Sequence, residues 1–132
     1  MTVLRRALGL GAILLLALAL PLVVVPRTVV ESIMGQVPVG DDVWIRLTGA
    51  ACVGLALFHV LVIRKLDELW WWCWAFVLFD GSVSLIALAH AVNGVPDGSA
   101  SWPWWVFGSL AGAFAAAYLI GLALAGREKP FA

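Results

Sequence analysis

The sequence predicts an all-α polytopic membrane protein, a bundle of four transmembrane helices. Three observations carry this. Of 132 residues, 64% are hydrophobic and only 12% charged, with a mean hydropathy of +1.04, whereas soluble domains run at roughly 45 to 50% apolar and about 25% charged. Four mainly apolar runs reach the roughly 20 residues a helix needs to cross about 30 Å of hydrocarbon. Inside lipid every backbone amide must be satisfied within its own segment, which makes helices the default for runs rich in Leu and Ala. A formal charge of zero, from 8 basic and 8 acidic residues, removes both a disordered chain and nucleic acid as a partner, since no basic patch exists to neutralise phosphates.

The runs span residues 7–25, 43–63, 69–92 and 102–125. The first and last carry no charge, the second only Arg46 and the third only Asp80. No linker or repeat divides the chain, so residues 1–132 form one domain. Arg5 and Arg6 before an apolar run, with Ala17 and Ala19 further on, resemble a secretory signal. The run continues through Pro21 to Val25, longer than a usual signal core, and an uncleaved first helix is expected. Arg5, Arg6, Arg64, Lys65, Arg127 and Lys129 fall on one side of the bundle and Arg27 and Arg46 on or near the other. By the preference of short cytoplasmic connections for Lys and Arg, both termini are expected in the cytoplasm.

Between the first two runs, Thr28 and Glu31 have capping-box spacing, and Val29, Val30, Ile33, Met34 and Val37 recur on one side of a helical wheel before Gly35, Pro38 and Gly40 end the pattern. A short amphipathic helix on the outer membrane surface is expected, with a lid over an outward-facing cavity as its functional alternative. Arg64 to Glu68 makes the next connection, and Asn93 to Ser101, with Gly94, Pro96, Asp97 and Gly98, makes a turn-rich outer loop. Tryptophans mark the interfaces: Trp44, Trp102, Trp104 and Trp105 at the outer ends of the second and fourth helices, and Trp70, Trp71, Trp72 and Trp74 at the inner end of the third. The WWWCW run reads as an anchor, with a stacking platform for a ligand ring as the alternative.

The polar residues within the runs are the candidate site. Asp80 lies near the midplane, with Ser84, Ala87 and Ala91 following on its helical face. A buried carboxylate there calls for a partner. Arg46 shares a face with Gly49, Ala50, Val53 and Gly54 and should sit about 9 to 10 Å nearer the outer surface than Asp80. The leading expectation is a buried Arg46–Asp80 pair joining helices two and three. It can act as a register lock or as a titrating site in an outward-opening cavity; the remaining option has Arg46 turned out to Asp42 or lipid phosphate, with Asp80 held protonated by desolvation. His90, in the outer half, extends this polar cluster of Asp80, Arg46, Ser84 and His90. His59 and His90 differ by about 20 Å in height, which argues against a shared haem or metal, and each reads as interfacial or hydrogen-bonded. Cys52 and Cys73, about 10 Å apart in depth, read as small core residues beyond disulfide reach.

Helix four carries Gly108 and Gly112 at GxxxG spacing, continued by Ala116, and with Gly49 and Gly54 these are the candidate packing or partner contacts. No Walker loop, HExxH, GxSxG, catalytic carboxylate pair or dinucleotide fingerprint occurs, and no metal or cofactor is expected.

The order of elements, the stretch Trp44-Ile45-Arg46-Leu47-Thr48-Gly49 opening helix two, and a lone Asp80 in helix three resemble small bacterial four-helix membrane proteins of the DoxX-like type. That resemblance spans most of the chain as architecture and a handful of residues as pattern. It implies an accessory subunit of a membrane complex; the redox link of some members finds no cysteine chemistry here. The sequence therefore leads to a non-catalytic accessory, assembly or interaction subunit of a bacterial cytoplasmic membrane, in contact with lipid and with other membrane subunits or further copies of itself. The alternative is a small-molecule or proton carrier, or a quinone-linked membrane enzyme, centred on Asp80 and Arg46.

Overall fold

The computed structural model describes residues 1–128; Lys129, part of the orientation argument, lies outside them. The protein is an all-α multi-pass membrane protein with four spans: α1 (Thr2–Val24), α2 (Val43–Arg64), a third built from α3 (Leu66–Leu69), a 3-10 turn (Trp70–Trp72) and α4 (Cys73–Asn93), and α5 (Trp102–Glu128). The described ends of α1 and α5 meet, with the Met1 amino nitrogen 3.0 Å from Glu128 Oε2. This termini end also holds the α2–α3 corner, and the loop end holds the two longer connections.

The third span departs from the expected continuous helix. The Cys73 amide donates to both Trp70 O and Trp71 O, the tightened geometry of a 3-10 turn. That twist separates the tryptophans. Trp71 and Trp72 stack at 4.8 Å between ring centroids and, with Trp74, face outward. Trp70, expected as an anchor, is instead turned into the core at 8% exposure.

The connection after α1 holds the expected short helix, in π rather than α geometry. Thr28–Ile33 forms a π-helical turn, closed by Met34 N–H to Val29 O at 2.9 Å, and no side chain caps it. The Glu31 carboxylate accepts from the Val39 amide at 2.8 Å, clamping the returning chain instead of the turn's start. Val29 is buried while Ile33 is largely exposed, so the apolar side of the expected wheel is broken up. Gly35, at φ +61°, lets the chain reverse, and its carbonyl accepts from Ala100 N at 2.7 Å. Gln36 Nε2 donates to Met34 O and Ala100 O, both at 2.9 Å, and Val37 N donates to Ser99 Oγ at 3.2 Å. The two loop-end connections are thus laced to each other.

The helices assemble as two hairpins. α1 packs along α2, and α4 along α5; α1 and α5 join the pairs. Glycines make the close approaches. A Cβ at Gly49 would lie 3.0 Å from Ala19 O and 2.8 Å from Val23 Cγ2, one at Gly108 2.6 Å from Leu88 Cγ, and one at Gly121 2.8 Å from Leu4 Cδ1. The core sits in the termini half: Leu4, Leu8, Val62, Cys73, Phe76, Tyr118 and Ala125 are essentially inaccessible. Toward the loop end burial is more scattered, at hairpin contacts such as Gly49 on α2 and Ala87 on α4 and at Val29 and Pro103 beside the connections.

Candidate functional site

The fourth edge of the bundle, between α2 and α4, is closed only near the termini end, and by side chains. Phe58 meets Phe76 and Trp72 at 5.3 and 5.9 Å between centroids, and His59 stacks on Phe76 at 3.8 Å. Each of the four long helices contributes to this floor. His59 is 1% exposed and Tyr118 0%, Phe76 packs on both rings, and on α1 the missing side chain of Gly11 makes room for the Tyr118 hydroxyl.

The hydrogen bonds fix how the buried imidazole is used. His59 Nδ1 lies 2.8 Å from Leu55 O and Nε2 3.1 Å from the Tyr118 hydroxyl. A carbonyl oxygen only accepts, so Nδ1 carries the proton and Nε2 accepts from Tyr118. His59 therefore has the hydrogen-bonded structural role among those open to it. Sequence reasoning passed over Tyr118. Its signal was present: it is the only tyrosine in the chain, and Ala111, Ala115, Leu122 and Ala125 share its buried face. A phenol so placed needs a partner.

Asp80 lies one turn from Phe76 toward the loop end, on the face that buries Cys73, Phe76, Val77 and Ala87. It is partly exposed, and among the described residues it makes no hydrogen bond or ion pair. An insertion cost of about 2.5 to 3.5 kcal/mol for such a group is left uncompensated within the chain.

The expected Arg46–Asp80 pair is not formed. Arg46 Nη2 lies 3.2 Å from Asp42 Oδ2, and Nη1 donates to Val23 O near the end of α1. The reason is physical: at the loop end a carboxylate one turn back and a free helix-terminal carbonyl satisfy the guanidinium without taking two charges out of water. The rest of the polar cluster also comes apart. Ser84 Oγ donates to Gly108 O at 2.7 Å, tying α4 to α5. His90 stands edge-on to Trp104 at 4.6 Å, and Trp104 Nε1 is buried without a hydrogen-bond partner among the described residues. Trp44, Trp102 and Trp105 are exposed as anchors require.

Of the candidate packing residues, Gly49, Gly108 and Gly112 touch neighbouring helices; a Cβ on Gly112 would come 2.9 Å from Ser84 Oγ. Gly54 and Ala116 do not take part: Gly54 has nothing within 4 Å of where its Cβ would be, and Ala116 faces outward. Gly54 instead lines a groove of about 500 Å³ along the open α2–α4 edge, with Thr48, Ala51, Cys52 and Phe58 of α2 and Phe79 of α4. Cys52 and Cys73 are free thiols, and among the described residues no three metal-ligating side chains converge. The chain matches no family model, no curated protein and no solved structure.

Proposed function

We propose that the protein is a non-catalytic accessory or assembly subunit of a membrane complex, and that a transmembrane helix of a partner subunit packs along its α2–α4 edge. The observation that carries this is the edge itself, where α2 and α4 each pack on a hairpin partner but leave an open groove between them. From Thr48 to Phe58 the groove runs for about 15 Å of helix rise, or nearly three turns. Ala51 and Gly54 along it present the small side chains that let helix backbones approach in lipid, where van der Waals contact and not hydrophobicity drives association.

Catalysis finds less support, because acid–base or nucleophilic chemistry needs convergent groups, and His59 and Tyr118 already satisfy each other. A carrier or quinone-linked enzyme centred on Asp80 and Arg46 loses its second member to Asp42. The DoxX-like resemblance implies the same accessory role. The membrane is a bacterial cytoplasmic one in this reading, with both termini inside, since Arg5, Arg6, Arg64, Lys65 and Arg127 gather at the termini end.

A photo-crosslinking residue at Ala51, in cells of the native host, tests the proposal. The expected result is one discrete adduct mapping to a transmembrane helix of a single integral membrane protein, lost in Gly54→Leu and absent with the crosslinker at Ile120 on the exposed side of α5. Adducts with lipid alone, or equal yields at both positions, contradict it.

A further inference from the structure

We infer that the helix received at the α2–α4 edge carries a lysine or arginine at the depth of Asp80, so that the partner supplies the cation this chain withholds. The inference rests on the docking proposal and adds the partner's chemistry. A mid-span carboxylate without a counter-charge is the group in this fold with the most to gain from one, and among the described residues none comes from within. Arg5, Arg6, Arg64, Lys65 and Arg127 belong to the termini end, Arg27 to the loop-end connection, and Arg46 is held by Asp42 and Val23. Of the groups packed around the site, His59 has both ring nitrogens engaged and Tyr118 donates to it. His90 lies ten residues along α4, about 15 Å away by rise, against Trp104.

Among the described residues a second copy of this chain carries the same cations at the same depths and brings none to mid-span. The complementary partner is therefore a different chain. The groove provides the approach. Its α4 wall is Phe79, the chain neighbour of Asp80, and its α2 wall is small at Ala51 and Gly54; Asp80 itself stands just beyond the lining, partly exposed, so only a long basic side chain on the docked helix would span the remaining distance.

The test uses the purified full chain, dye-labelled, in phosphatidylcholine vesicles with synthetic Leu/Ala helices flanked by Trp and carrying Lys, Asn or Leu at the central position, association being read by energy transfer. The Lys helix is expected to bind at least tenfold more tightly than the Leu helix. Asp80→Asn should reduce that ratio below twofold, Asp80→Glu should restore most of it, and moving the Lys by two turns should abolish it. Circular dichroism and thermal unfolding establish that each variant is folded. Equal binding of Lys and Leu helices, both lost in Gly54→Leu, overturns the basic partner while leaving the docking edge. Binding of no helix overturns the docking proposal as well. An Asn helix as tight as the Lys helix, or full competition by dodecylamine in place of a helix, also overturns the inference.

Discussion

Tyr118→Ala is expected to destabilise the protein by about 3 to 5 kcal/mol, the usual cost of emptying a buried aromatic site. Tyr118→Phe should cost far less. Hydrogen bonds between helices in lipid average about 0.6 kcal/mol and rarely exceed about 1.7, and the phenylalanine keeps the ring contacts with Phe76 and Phe114 while leaving His59 Nε2 without its donor. Packing thus outweighs the hydrogen bond at this node, where the two hairpins join. Denaturant unfolding in detergent micelles, followed by circular dichroism, measures both variants. Equal losses for Ala and Phe would place the stabilisation in the hydroxyl and contradict the packing argument.

Two glycines on one helix should respond in opposite ways to the same substitution. Gly49→Leu forces a branched side chain against the Ala19 carbonyl and the Leu22 and Val23 side chains. Because a backbone oxygen cannot rotate away, α1 and α2 must separate, at a cost of about 1 to 3 kcal/mol or more. At Gly54 the space is open, and the better helix propensity of leucine makes Gly54→Leu neutral to slightly stabilising. Thermal unfolding of the pair checks this; a loss at Gly54 equal to that at Gly49 would mean the α2–α4 edge is packed.

The spans were legible in the sequence because length and hydropathy alone determine them. The termini-end gathering of basic residues and the exposed tryptophans at positions 44, 102 and 105 followed from the same one-dimensional rule. What stayed hidden depends on azimuth. Rise per residue gave Arg46 and Asp80 heights that two side chains could bridge, but it carries no information on which helices are neighbours, and α2 and α4 prove to be the pair that stands apart. Small residues were equally ambiguous: Gly49 and Gly54 share helix and type, yet one touches α1 and the other opens on the groove. In lipid, both packed and lipid-facing surfaces are apolar, so the polar–apolar alternation that marks buried faces in soluble proteins is missing. Glu31 shows a further limit, since capping-box spacing does not distinguish a carboxylate that caps its own turn from one that clamps the chain eight residues on.

Pulsed dipolar spectroscopy in lipid nanodiscs measures the open edge directly. In a background without Cys52 and Cys73, spin labels would be placed on exposed positions: Ala51 and Ile86 for α2–α4, Val24 and Leu47 for α1–α2, and Leu85 and Leu110 for α4–α5. The expected result is a longer and broader distance distribution for the α2–α4 pair than for the two hairpin pairs. Three narrow distributions of similar length, as helices packed 8 to 10 Å apart on every side would give, would contradict an unpacked edge and with it the place assigned to a partner helix.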